Sequence, residues 1–372
     1  GYWDEFVGFM RSLFNTTFKT NPYLERAVMT GITRISKESV FSDLNNLTVI
    51  TTTSDAYADC FGFTEEEVFQ SLDQFGMPEK KDLVKQWYDG FCFGTHRDIY
   101  NPWSITNYLK EKKLRPYWAA TSSNGLIRKL LQSASGNMKE ELEKLINRQQ
   151  IVVNFDEQII FGQLEQDESA VWSLLVASGY LKVEEIEYRG LTLEPWYSLS
   201  ITNLETVSMF SNMFKSWFAA ASANYNEFIK ALLNGDVKAM NLYMNDIALA
   251  TFSNFDAGKH ASERSQPERF YHGFVLGLLV EVRDLYEVRS NRESGYGRYD
   301  VILIPRNLDR DAMILEFKVK ETEEKTLQET VQKALAQIEI KKYDAELKER
   351  GIPKERIRRY GFAFEGKKVL IG

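Results

Sequence analysis

A chain of 372 residues with 44% apolar and 13% aromatic content is long enough for two or three folded domains. Its net charge of −7, with a pI near 5.4, argues against a protein that coats nucleic acid without regard to sequence, although a local basic surface stays compatible with it. No apolar run reaches membrane-spanning length, the first residues Gly1-Tyr2-Trp3-Asp4-Glu5 carry no signal-peptide pattern, and no repeat or low-complexity tract stands out.

In the first segment, residues 1–47, Trp3, Phe6, Val7, Met10, Leu13 and Phe14 recur three and four apart and predict a helix. Between Asn21 and Ile32 a short apolar run ends in Thr30-Gly31, which predicts a buried strand entering a loop. The second segment, residues 48–223, reads as mostly helical. Thr64, with Glu67 three residues later, is a capping-box signature for a helix start. Aromatic-rich turns are predicted at Trp87-Tyr88-Asp89-Gly90-Phe91 and Tyr100-Asn101-Pro102-Trp103-Ser104. Ser169 to Ser178 reads as a buried helix. The runs from Gly179 to Val183 and from Trp196 to Ile201 then read as the paired strands of a wing, so the stretch predicts a winged-helix-like unit whose aromatics are core.

The third segment, residues 224–372, begins with a helical pattern (Phe228, Leu232, Leu233, Met240, Tyr243, Met244) and a polar linker from Asp256 to Gln266. A helix follows with Pro267 in its first turn, where proline is tolerated, and Phe270, Phe274, Leu278 and Leu279 along its inner stripe. Strands are predicted from Leu285 to Ser290, from Gly297 to Ile304 and from Met313 to Val319. Next comes a long helix from Thr326 to Arg350, apolar at Leu327, Val331, Leu335 and Ile338, with Gly351 suited to its C-terminal cap. A strand from Tyr360 to Phe364 leads into Lys367-Lys368-Val369-Leu370-Ile371. The order helix, three strands, helix, strand predicts a small α/β core. Lysines and arginines crowd the stretch from Lys341 to Arg359; its plainer reading is a solvated helix face and loop.

Side-chain chemistry concentrates in this segment. Asp300 opens one strand, and Glu316 and Lys318 lie two apart on the next, on one face, with Phe317 on the other. Two carboxylates brought together can hold a hard divalent cation, and a lysine can sit beside the water or phosphate it activates. That is the arrangement needed to cut a phosphodiester. A rival reading is a charge pair between Glu316 and Lys318, worth about 0.2–1 kcal/mol at a surface. Ile314, Leu315, Phe317 and Val319 flank Glu316, so the strand reads as buried, where an unpaired carboxylate is costly. A site is therefore favoured. His272 reads as a packing residue rather than a ligand or base, and His96, His260 and His272 are too scattered for a histidine zinc site. Cys60 and Cys92 fit buried thiols in a reducing cytoplasm better than a disulfide framework.

Asp300, then sixteen residues on Glu316-Phe317-Lys318, set between strands and before a helix, resembles the PD-(D/E)XK nuclease superfamily. The resemblance implies a restriction-endonuclease-like α/β core in which Asp300 and Glu316 bind Mg²⁺ or Mn²⁺. It implies that Lys318 positions or deprotonates the attacking water. It also implies a further metal ligand from the first helix, the place Glu268 occupies, and a glutamine in the helix after the Glu-x-Lys strand, Gln337, with Lys341 and Tyr343 nearby. Tyr299 stands where the family pattern has proline; the carboxylate does the chemistry, so the pattern tolerates the change.

A wider resemblance covers essentially the whole chain. The run from Thr30-Gly31-Ile32-Thr33-Arg34 to Asn45-Asn46-Leu47, the two aromatic turns, Thr121-Ser122-Ser123-Asn124, and Glu268 to Leu279 are similar to bacterial AAA-ATPase-like proteins that carry a C-terminal PD-(D/E)XK domain. Such proteins begin with a P-loop core, yet no G-x-x-x-x-G-K-[ST] occurs here. Gly258-Lys259-His260 lacks the upstream glycine and the following hydroxyl. The resemblance thus implies an ATPase-like remnant at residues 1–47, a helical lid or winged-helix-like region at 48–223 and a nuclease-like domain at 224–372. The expected protein is a cytoplasmic, metal-dependent nuclease acting on DNA rather than RNA, without ATPase activity or membrane association, and compatible with a homo-oligomer. The alternative is a catalytically reduced regulatory module that binds nucleic acid, or an adenine nucleotide in a leftover pocket.

Overall fold

A computed structural model describes residues 2–31, 44, 47–119, 125–157, 167–255, 265–294 and 297–372. Packing divides the chain into two units: Gly1–Leu130 with Lys144–Met209, and Leu131–Glu143 with Phe210–Gly372. Helix α1 (Trp3–Phe14) forms where the spacing predicts it. The strand predicted between Asn21 and Ile32 does not form: the backbone from Tyr23 to Gly31 is irregular, and Tyr23 and Val28 are exposed. A short apolar run has no ladder of its own, and without a neighbouring strand its backbone groups bond to water. Ile32 itself, most of the run up to Leu47, Thr121 to Asn124 and Gly258-Lys259-His260 lie outside the described residues.

Strands β1 (Phe63–Thr64), β2 (Phe91–Phe93) and β3 (His96–Tyr100) form an antiparallel sheet in the order β1-β3-β2. Helices α2 (Glu65–Gln74), α3 (Lys81–Tyr88) and α4 (Pro102–Glu111) bury Leu72, Val84, Tyr88 and Tyr108 in one core beside it. The local signals explain where these helices start. Thr64 and Glu67 form the predicted capping box, Glu67 taking the Thr64 N–H at 2.8 Å. Asn101 Oδ1 accepts the N–H groups of Trp103 at 2.9 Å and Ser104 at 3.3 Å, while Pro102 fills the first helical position, where its missing N–H costs nothing. In the other aromatic turn Gly90 has φ +110°, and a Cβ there would lie 2.2 Å from the Thr202 carbonyl oxygen, so only glycine fits.

Helices α5 (Gly125–Ser133) and α6 (Gly136–Ile146) precede a second antiparallel sheet of β4 (Ile151–Val153), β5 (Leu181–Arg189) and β6 (Glu194–Ile201), ordered β4-β6-β5. Helix α7 (Glu168–Ala177) is buried at every position from Ala170 to Val176, as its apolar run, interrupted by Ser173, predicts. At the start of α8 (Leu204–Trp217), Glu205 is fully buried. Its carboxylate accepts Ser104 Oγ at 2.8 Å and the N–H groups of Trp118 at 2.6 Å and Ala119 at 3.2 Å. Burial pushes its carboxyl up, and these donors offset part of that. Replacing Glu205 by alanine takes this acceptor from Ser104 Oγ and from the Trp118 and Ala119 N–H groups, so a loss of about 3 kcal/mol or more is expected from urea unfolding of the variant.

The second unit continues through α9 (Ser222–Asn234), α10 (Val237–Phe255) and α11 (Ser265–Glu281) to β7 (Tyr286–Ser294), β8 (Gly297–Pro305) and β9 (Ala312–Val319). Then come α12 (Leu327–Lys341), α13 (Ala345–Glu349), β10 (Ile357–Glu365) and β11 (Lys368–Ile371). The five strands form one sheet in the order β11-β10-β9-β8-β7; β9 and β10 run parallel and the other pairs antiparallel. The parallel pair requires a crossover, which α12 supplies.

The helix expected from Thr326 to Arg350 is broken. Lys342 takes a left-handed conformation (φ 53°), and α13 starts three residues later. The break lets Tyr343 and Leu347 enter the core with Ile314, Ile338 and Ile357. Helical periodicity alone does not reveal it, because Lys342 lacks the glycine signature of such a turn. Gly361 sets the approach of α12 to the sheet: a Cβ there would lie 2.9 Å from the Val331 carbonyl and 3.0 Å from Ala334 Cβ. On the other side, Phe317 stacks on Phe362 (4.6 Å between centroids) and meets Tyr271 of α11 (4.4 Å). The edge strand β11 is closed by α10. Asn241 exchanges two hydrogen bonds with Ile371, and Asn245 two with Val369, all of 2.7–3.0 Å.

Candidate active site

The ladder between β8 and β9 runs Leu303↔Met313, Ile302↔Ile314, Val301↔Leu315, which brings Asp300 and Glu316 next in line. There Asp300 Oδ2 accepts the Phe317 N–H at 2.7 Å. Glu316 and Lys318 project from β9 on the face opposite Phe317, toward α12. Gln337 of α12 joins them: its Oε1 accepts Lys318 Nζ at 2.7 Å, and its Nε2 donates to Glu316 Oε1 and to Tyr343 Oη, the latter at 3.0 Å. Asp300, Glu316, Lys318 and Gln337 therefore meet at one place, as do Gln337 and Tyr343. Lys341 ends α12 exposed to solvent. Glu268 belongs to α11, but its side chain lies outside the described residues.

Glu316 is 2% exposed, and its Oε2 has no hydrogen-bond partner among the described residues. Burial pushes its carboxyl up, and the Asp300 carboxylate beside it adds to the rise, while Lys318 opposes it. Burial raises Asp300 as well, against the Phe317 N–H and Lys318, and Glu140 contributes to the rise. Two carboxyls that hold each other's protons, one with a bare oxygen, form a place where a divalent cation would replace protons. The residues fit such an ion: hard oxygen donors, a cationic neighbour and an amide that fixes one carboxylate oxygen.

His272 is 5% exposed, and burial, with help from Lys139, lowers its imidazole to about 4, so it is neutral and packs as expected. The basic stretch near the C-terminus is largely neutralised: Arg356 and Arg358 pair with Asp311, Arg359 and Lys348 with Asp344, and Arg350 with Glu287 and Glu346.

Two features of the first unit had no local signal. Among the described residues, Glu65, Asp89 and Asp98 offer carboxylate oxygens within 4.8 Å of one another. Lys85 already supplies the cation there, paired with Glu65, with Asp98 at 3.4 Å and with Asp89 at 4.0 Å. Asp89 is pushed up to about 7 by burial and by Asp98. A cavity of about 600 Å³ is lined in part by Thr51, Thr53 and Tyr197. All three donate to Glu157, at 3.2, 2.6 and 2.9 Å, and none of the nuclease-motif residues lies there.

Residues 266–372 match the PD-(D/E)XK nuclease superfamily. This part of the chain is a domain of that superfamily, and the five-stranded sheet with its helices is consistent with a restriction-endonuclease-like core within a mixed α/β protein. Over 355 residues the chain is 24% identical to the uncharacterized protein in the vnfD 5′ region of Azotobacter chroococcum mcd 1, covering 92% of this chain and 62% of that protein. The chain thus spans less than two thirds of that relative's length. No solved structure matches. The superfamily match begins at residue 266, so the resemblance of the upstream residues to AAA-ATPase-like proteins gains nothing from it. Among the described residues no helix is long and apolar enough to cross a membrane.

Proposed function

We propose that this protein is a metal-dependent nuclease that hydrolyses DNA phosphodiester bonds at Asp300, Glu316 and Lys318. The observation that carries the reading is the bare Glu316 Oε2, enclosed beside a second carboxylate. A buried carboxylate oxygen without a donor is costly unless something ligates it. Mg²⁺ or Mn²⁺ held by Asp300 and Glu316, with Glu268 as a further ligand, would polarise the phosphate and lower the pKa of a bound water. Gln337 anchors Glu316 Oε1, which leaves Oε2 for the ion, and holds Lys318 Nζ at 2.7 Å. Lys318 would orient the attacking water and offset charge growing on the phosphate.

DNA is preferred to RNA on the resemblance to this superfamily. Residues 1–223 are read as the tail and lid of an ATPase-like protein. The Trp87–Phe91 and Tyr100–Ser104 turns support that reading. The free thiols Cys60 and Cys92 suit a reducing cytoplasm.

The test is incubation with linear, single-stranded and covalently closed circular DNA in Mg²⁺, Mn²⁺ or EDTA. Metal-dependent cleavage is expected, and cutting of the closed circle would make the action endonucleolytic. Intact DNA in every metal would sink the proposal. Replacing Gln337 by alanine unties both Glu316 and Lys318; single-turnover cleavage is expected to slow about 10–100-fold, as for other supports of metal ligands.

A further inference from the structure

We propose that the outer face of α4, with the lysines that follow it, is a docking surface for single-stranded DNA. Trp103 stacks on an unpaired base there, and Lys110, Lys112 and Lys113 meet the phosphates. The choice of DNA as the partner rests on the nuclease reading. Trp103 and Lys110 are seven residues apart, about two helical turns, so they share one stripe of α4 and lie about 10 Å apart along its axis. The opposite face is anchored: Ile105, Tyr108 and Leu109 enter the core beside α3, and Ser104 Oγ donates to Glu205 at 2.8 Å. The Asn101 cap fixes the first turn through the Trp103 N–H. Trp103 is therefore rigidly placed, yet it is 55% exposed. Among the described residues no ring and no cation lies against its indole.

At the other end, Lys112 closes the helix in a left-handed conformation (φ 56°), and the chain leaves through Lys113. Lys110, Lys112 and Lys113 are exposed, and among the described residues no carboxylate pairs with them. Glu111, the one acid between Lys110 and Arg115, is bound by Arg115. These lysines thus differ from the basic stretch near the C-terminus, whose cations are largely spent on Asp311, Asp344, Glu287 and Glu346. Unspent cations beside a free aromatic face match what a single DNA strand presents, a line of phosphates and open base faces. A duplex covers its base faces by stacking and leaves the ring without a use. A second copy joined through the same face would bring these cations together, which disfavours it.

The test is anisotropy titration of a labelled oligothymidylate of about 20 nucleotides, longer than a single-fold site, with the full chain in EDTA at several salt concentrations. Parent, Trp103→Ala, Trp103→Phe and the triple variant Lys110→Ala/Lys112→Ala/Lys113→Ala are compared, with circular dichroism for folding and sedimentation for oligomeric state. Trp103→Ala is expected to bind about tenfold more weakly, while Trp103→Phe keeps most of the affinity because the ring remains. The triple variant should lower the slope of log affinity against log salt by about 2. Parent-like affinity and salt slope in both variants, from a parent that binds and cuts DNA, overturn this surface alone. Equal losses on a duplex of the same length, or tighter binding of the matching RNA, overturn the assignment to single-stranded DNA. A dimer that Trp103→Ala dissociates at unchanged DNA affinity makes the face a contact between copies and overturns the proposal. A parent that binds the DNA strand through these residues but cuts none in Mg²⁺ or Mn²⁺ supports the surface and overturns the nuclease reading. Should Trp103→Ala fail to fold, the triple variant and its salt slope decide by the same criteria.

Discussion

Glu316→Ala and Lys318→Ala are each expected to abolish the proposed metal-dependent DNA cleavage and to leave the protein folded. The expected loss is at least about a hundredfold, the lower end of what a positioned proton-transfer or charge-stabilising group contributes. The two variants fail for different reasons. Without Glu316 the ion loses one of its two paired carboxylates, so metal binding fails with cleavage. Without Lys318 the carboxylates remain, so Mn²⁺ still binds while the water is no longer oriented. Folding survives because neither group supports the core: Ile314, Leu315 and Phe317 bury the strand without them. Circular dichroism, Mn²⁺ titration and cleavage of labelled DNA separate the outcomes. Cleavage at the parental rate in both folded variants would remove the site assignment.

The metal-free protein is expected to lose stability as the solution is made alkaline, and Mn²⁺ to restore it. Burial raises the folded-state pKa of Asp300 to about 6 and of Glu316 to about 8, above the usual carboxyl values of 3.8 and 4.5. Between the unfolded and folded values the native state holds more protons than the unfolded chain, so stability falls as pH rises through that window. Below the unfolded values both states are protonated and the contribution is whole. A bound cation replaces the protons and reverses the trend. From pH 5.5 to 8.5 in EDTA, these two groups are expected to lower the melting temperature by about 5 °C or more, and Mn²⁺ should recover most of it at the upper pH. Glu316→Gln should flatten the pH dependence. A melt independent of pH and of Mn²⁺ in the parent would show that the pair carries no strained charge.

Local chemistry made much of this legible in the sequence. The Thr64 cap, the buried run of α7 and the alternation about Phe317 each depend on residues a few positions apart. The neighbourhood of Asp300, Glu316, Lys318 and Gln337 was readable because two adjacent strands and the next helix carry it. What escaped depends on distant partners. The stretch from Tyr23 to Gly31 had strand-like residues but no strand to pair with. Tyr343 drew α12 into a left-handed break that a lysine does not announce. Glu205 has no local signal in the sequence, and only the fold shows it holding Ser104, Trp118 and Ala119.

The most direct test is to locate Mn²⁺ in crystals of the protein by its anomalous scattering. The account predicts an ion between Asp300 and Glu316, ligated by the Oε2 that lacks a partner without metal. An ion at Glu65, Asp89 and Asp98 instead, or none at Glu316 at saturating Mn²⁺, would contradict it.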